Sequence, residues 1–261
     1  MKSIILCEGK TDFILYSYYL SKVCGWESLD KKENRSQKDK IHYRLSNMKI
    51  DNSDTQGFAW YFRGEDLLCI YAVGSKDSFA DGLEQIADIN IKTSEEKFGK
   101  VAVISDRDDS HAENEIIKSV KASLSKSSIR FRHILHNTWN ESEEYEETGD
   151  VYHLALLPLI IPFNESGTIE IFMLNCRKEI SEGENALIES IYRFIDEIAE
   201  NDYVKRNYLS ERGLIPKSKF STYFSIISPN RTFDAGNKIL ESIPWEKYTE
   251  FQKTLRLLSE I

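Results

Sequence analysis

Residues 3–20 read SIILCEGKTDFILYSYYL: a greasy run, Ile4 to Cys7, stops at Glu8-Gly9-Lys10-Thr11-Asp12, and a second segment begins at once. A short continuous apolar run is the pattern of a strand buried on both faces. Beyond it Phe13, Ile14, Tyr16, Leu20 and Val23 recur near helical spacing, and Thr11 or Asp12 can cap the start. Strand, tight glycine turn and helix open an α/β sheet. The letters GKT at 9–11 suggest a phosphate-binding P-loop, which needs a glycine five places before Gly9 to fold its backbone N–H groups round the phosphate. Ile4 stands there. The two carboxylates at this seam therefore need another account.

The same alternation continues. A polar, irregular segment over about 28–56 interrupts it; 58–63 and 67–73 then read as strands joined by a turn at Gly64-Glu65-Asp66. After Gly74, residues 76–89 carry a helical stripe of Phe79, Leu83, Ile86 and Ala87. Residues 101–105 repeat the buried-strand pattern and break at Asp106-Arg107-Asp108-Asp109; 112–124 read as helix, 129–135 as strand, and 151–162 as a strongly apolar strand. The stretch NESEEYEETGD at 140–150 reads as a mobile acidic loop. Segments 169–174, 186–199, 219–227, 235–243 and 245–258 favour helix. The expectation is an α/β domain over 1–175, a mostly parallel sheet flanked by helices with inserts at about 28–56 and 140–150, and a helical C-terminal extension over 176–261 packed on it.

Composition narrows the function classes. Hydrophobic residues at 41% and charged residues at 30% are those of a soluble globular chain of 261 residues. The three residues before the first apolar run are too short for a signal peptide and no apolar segment reaches spanning length, so a cytoplasmic protein with no membrane partner is expected. Four cysteines without a CxxC pair read as reduced thiols. A formal net charge of −9 argues against a general polyanion binder but not against a nucleic-acid substrate met through divalent ions. The basic stretch from Lys31 to Lys49 is the clearest candidate for a basic patch within this acidic average, with a solvated loop as the favoured reading. The five histidines fit ordinary structural or surface roles, with His111 close enough to Asp108 to partner it.

In open α/β sheets functional groups gather outside the carboxyl ends of the strands. Two strand ends here present acids: Glu8 after the first, Asp106 and Asp108 after VAVIS. Alternate residues leaving a strand point the same way, so Asp106 and Asp108 can hold one hard cation. N-capping of the next helix is the competing role for these aspartates.

ILCEGKTD before a helix and VAVISDRDD before another resemble the Toprim fold of topoisomerases, primases and overcoming-lysogenisation-defect nucleases. The signature is a strand-end glutamate followed by glycine, then an Asp-x-Asp pair at a later strand end; Glu8-Gly9 and Asp106/Asp108 match it. The nuclease branch has a further acid four residues after the glutamate, where Asp12 stands. GTIEIFML, with Glu170, resembles a later acidic position, and KSKFSTYFSIISPN resembles a downstream lysine segment in which Lys219 is the nearest match and Lys217 its neighbour. Stand-alone uncharacterised bacterial Toprim-like proteins show the same order, ending in a Trp region like Trp245. The two inserts depart from the family pattern.

The resemblance implies a Mg²⁺- or Mn²⁺-dependent nuclease cleaving DNA or RNA, working in nucleic-acid processing or phage defence with a separate ATPase. Glu8, Asp106 and Asp108 would hold the ion, Asp12 and Glu170 would place a second one, and Glu8 could instead serve as general acid or base. Lys219 would offset charge in the transition state, with Lys10 and Lys76 binding substrate. Topoisomerase and primase lack their other domains at this length. A non-catalytic Toprim module that binds metal or a partner is the alternative. DRDDS also resembles the opening of haloacid-dehalogenase phosphohydrolases, whose motif lies near the start of the domain; here it falls at 106 and Glu8 would have no role.

Overall fold

The fold is that of a computed structural model, which describes residues 1–34, 36–39, 57–92, 97–108, 111–124, 129–147, 150–163, 165–211, 213–231 and 236–261. Of the basic stretch, Arg35 and residues 40–49 lie outside the described residues; Lys38 pairs with Asp30 at 2.7 Å.

Among the described residues, seven strands form one sheet in the order β2-β3-β4-β1-β5-β9-β6. They are β1 (Lys2–Cys7), β2 (Glu27–Ser28), β3 (Gly57–Arg63), β4 (Asp66–Ala72), β5 (Lys100–Asp106), β6 (Asn140–Glu141) and β9 (Ala155–Ile161). β1 runs parallel to both β4 and β5. Ala155 N–H donates to Gly99 O and Arg107 N–H to Ile161 O, so β9 advances alongside β5 in the same direction. The β2–β3, β3–β4 and β6–β9 pairings are antiparallel, so β3 and β6 run against the other strands. Ile4, Ile5, Leu6 and Cys7 have no exposed surface, as a central parallel strand requires.

By its contacts the chain divides into two units: Met1–Ser105 with Ser110–Ile160 and Leu255–Ile261, and Asp106–Asp109 with Ile161–Thr254. The division thus falls at Ile161, earlier than the expected boundary after 175, and the last seven residues return to the first unit. The first unit contains the sheet up to Ser105 and Ile160, with helices α1 (Lys10–Lys22), α2 (Phe79–Lys92) and α3 (Ala112–Leu124). One of its cores joins Ile4 and Leu6 of β1 and Val101 and Val103 of β5 to Phe79 and Leu83 of α2 and Ile116 and Val120 of α3.

The second unit is helical: α4 (Ile169–Lys178), α5 (Glu182–Ala199), α6 (Asp202–Asn207), α7 (Leu214–Ile227), α8 (Gly236–Glu241) and α9 (Thr249–Leu255, whose last residue is counted in the first unit). Phe172 and Trp245 both stack on Phe251, with ring centroids 6.1 and 6.0 Å away. The Arg177 guanidinium donates to Tyr223 OH, to Tyr248 OH and to Glu184 Oε1, the last at 2.9 Å. A planar fork with several donors suits such a junction between helices.

Two expectations fail locally. Residues 129–135 form no strand: the Asn140 side chain takes their place in the hydrogen bonding, accepting from Leu135 N–H and donating to Leu135 O, both at 2.8 Å. The stretch 140–150 is not a plain loop, because it holds β6 and, with β7 (Tyr145–Glu147) and β8 (Asp150–Tyr152), an antiparallel hairpin. The strand expected over 151–162 is correspondingly split between β8 and β9.

Candidate functional site

In the first unit the β1 end is built from the backbone outward. Gly9 is the N-cap of α1, and Asp12 at the third helical position reaches back, Oδ2 accepting from Gly9 N–H at 3.1 Å. Its Oδ1 accepts from Tyr16 OH at 3.2 Å. Asp12 is buried and serves as the carboxylate of a capping box. Glu8 is half-buried, and its Oε1 accepts from Ser105 Oγ at 2.7 Å. Burial pushes the Cys7 thiol well above its ordinary range, and the charges of Asp12 and Glu8 push it the same way. Cys7 is therefore a neutral thiol and no nucleophile. All four cysteines are free.

The neighbouring strand end is tied to the same loop. Val73 N–H donates to Cys7 O and Gly74 N–H to Glu8 O, both at 2.8 Å. Gly74, at φ 97°, takes the left-handed turn that a side chain would resist. Lys76 follows two residues later, half-buried, just before α2, while Lys10 is exposed at the first position of α1. Both lysines therefore stand at carboxyl ends of parallel strands, β4 and β1.

In the second unit, Asp106 Oδ1 accepts from Ile169 N–H at 2.8 Å, so the aspartate caps α4 across 63 positions of sequence. Glu170 is buried in the first turn of the same helix, where negative charge is favoured. The chain stays extended beyond Asp106: Gly167 N–H donates to Arg107 O and Arg107 Nε donates to Pro162 O, both at 2.7 Å. That explains the arginine between the two aspartates. It anchors the strand end to the 162–167 connection, and Asp108 remains exposed. Asp109 lies outside the described residues.

Lys219 sits in the middle of α7, not at its start. Its ammonium lies 2.8 Å from Asp196 Oδ1 and 4.6 Å from the centroid of the Tyr192 ring, both on α5. Lys217, two residues earlier, is exposed.

The donors available to Mg²⁺ or Mn²⁺ are oxygens, as hard cations prefer. Thr168, the N-cap of α4, keeps a buried hydroxyl with no hydrogen-bond partner, a further oxygen beside the amide that Asp106 caps. Among the described residues, no three His, Cys, Asp or Glu side chains form a group that could hold an ion.

Sequence reasoning passed over Ser105, whose signal was a hydroxyl ending an otherwise apolar strand. It also passed over the pair formed by His136 Nε2 and Glu113 Oε2 at 3.1 Å, joining the 136–137 turn to α3.

The chain belongs to the family described as "Protein of unknown function (DUF3226)", which matches residues 2–256. No curated protein matches it. Among solved structures it is similar to the "hypothetical protein PH0156 from Pyrococcus horikoshii OT3", at 16% identity over 99% of this chain and 98% of that one, with a TM-score of 0.49.

Proposed function

We propose that the chain is a Toprim-type, Mg²⁺- or Mn²⁺-dependent enzyme that cleaves phosphodiester bonds of DNA or RNA in partnership with a separate ATPase. The observation that carries this reading is the parallel pairing of β1 and β5, with Cys7 opposite Ile104. It ends both strands at one edge of the sheet, with Glu8 just beyond β1 and Asp106 closing β5. That is the edge where open α/β sheets keep their chemistry.

Under this reading Glu8, Asp106 and Asp108 are the metal carboxylates, with Asp12 and Glu170 as supporting acids. A bound ion would make water nucleophilic at neutral pH and offset charge on the phosphoryl oxygens. Glu8 could instead take the proton of the attacking water, or return one to the leaving oxygen, leaving the ion to the aspartates. Lys10 and Lys76 bind flanking phosphates, and Lys219 supplies a cation. No helix among the described residues is long and apolar enough to cross a membrane.

A second reading, a metal- or partner-binding Toprim module without cleavage, is favoured by one pair of contacts: Asp12 and Asp106 both cap helices. The test is cleavage of single- and double-stranded DNA and RNA with Mg²⁺, Mn²⁺ or EDTA, with and without ATPase. Ion-dependent cleavage abolished by EDTA is expected. Mn²⁺ binding with no cleavage of any substrate would select the module.

A further inference from the structure

Val101, Ala102, Val103 and Ile104 of β5 have no exposed surface, and Ser105 follows them at 2%. A buried hydroxyl must find a partner. Ser105 Oγ finds Glu8 Oε1 at 2.7 Å, an ordinary hydroxyl-to-oxygen hydrogen bond. The register supplies the reason. With Cys7 paired to Ile104, the next residues along the two parallel strands are Glu8 and Ser105, which places their side chains on the same face of the sheet.

We infer that Ser105 is a positioning residue for Glu8, an inference that rests on the metal-dependent reading above. Glu8 leaves the end of β1, where the strand no longer fixes its side chain, and a free glutamate gives up considerable rotamer entropy whenever it must adopt one orientation. Ser105 sets that orientation in advance. Its own short side chain is immobilised in the core, so the donor is rigid and one carboxylate oxygen is fixed before any ligand arrives. Groups that orient a metal-binding or proton-transferring carboxylate in this way commonly account for 10–100-fold in affinity or activity. Ser105 touches neither ion nor substrate; it acts through Glu8.

The experiment is a double-mutant cycle of Ser105→Ala and Glu8→Ala on the full chain, read by Mn²⁺ calorimetry and by cleavage, with thermal melting to verify folding. Ser105→Ala should weaken Mn²⁺ binding and lower kcat by about 10-fold or more, leaving KM little changed. In the Glu8→Ala background the same change should add almost nothing, since the acceptor that Ser105 orients is gone. Ser105→Thr keeps the hydroxyl and should recover most of the loss. If its extra methyl disturbs folding, Ser105→Cys, isosteric with a weak donor, should fall between Ala and wild type. Losses that simply add in the double variant, or a Ser105→Ala protein equal to an active wild type, would overturn the role of Ser105 alone. A wild type that neither binds Mn²⁺ nor cleaves would overturn the metal-dependent reading and Ser105's role with it.

Discussion

Asp106 Oδ1 accepts the backbone N–H of Ile169 at 2.8 Å, so one carboxylate both ends β5 and caps α4. Its two roles can be separated by substitution. Asp106→Ala removes the cap and should cost about 1 kcal/mol in a denaturant melt. Asp106→Asn keeps an acceptor and should cost less, yet both should abolish Mn²⁺ binding by calorimetry. Asp108 is exposed, and Asp108→Asn should leave the fold intact while also losing the ion. Wild-type Mn²⁺ affinity in any of the three removes that aspartate from the ligand set.

Asp12 lends itself to the opposite contrast. With Gly9 N–H and Tyr16 OH both donating to its carboxylate, Asp12→Ala should destabilise by about 1–2 kcal/mol. Tyr16→Phe removes one of the two donors and should cost about 1 kcal/mol or less. Mn²⁺ affinity should fall far less in Asp12→Ala than in Asp106→Asn. Equal losses in the two would make Asp12 a ligand rather than a cap.

Gly57 of β3 tests how the helix after Glu8 is seated. A Cβ there would stand 2.7 Å from Cγ of Phe13, a ring atom with little room to yield. Gly57→Ala should therefore cost about 1–3 kcal/mol. Adding Phe13→Leu should recover part of it. A melting midpoint unchanged in Gly57→Ala would mean that α1 shifts freely against β3.

Elements whose fold is decided by local pattern were legible in the sequence. Runs such as IILC and VAVIS carry the buried-strand pattern and lie in β1 and β5, and the 112–124 segment coincides with α3. Segments decided by a distant partner were not. Residues 129–135 have strand composition, but the Asn140 amide takes up the backbone groups of Leu135 that a ladder would need. α7 begins at Leu214 rather than 219 because Pro216 falls in the first turn, where its missing N–H costs nothing. The acids of the candidate site were visible as residues at strand ends. What each one touches was not, since Glu8 and Ser105 are 97 positions apart.

Lys219 separates a catalyst from a structural contact. Its ammonium pairs with Asp196 at 2.8 Å, with the lysine side chain 12% and the aspartate 57% exposed. A half-exposed pair of this kind stabilises by under about 1 kcal/mol, so the melt should barely report it. A cation stabilising an anionic transition state acts on turnover instead, on the scale of ~10²-fold for the loss of one such group. Lys219→Ala should accordingly lower phosphodiester cleavage by ~10²-fold while Mn²⁺ affinity stays within a small factor of wild type. Lys217→Ala is the control, because a residue two positions away on a helix faces elsewhere and this one is exposed. Asp196→Asn breaks the same ion pair but leaves the cation, so it should keep most of the activity. Cleavage rates that fall equally in Lys219→Ala and Asp196→Asn would confine Lys219 to its contact with α5.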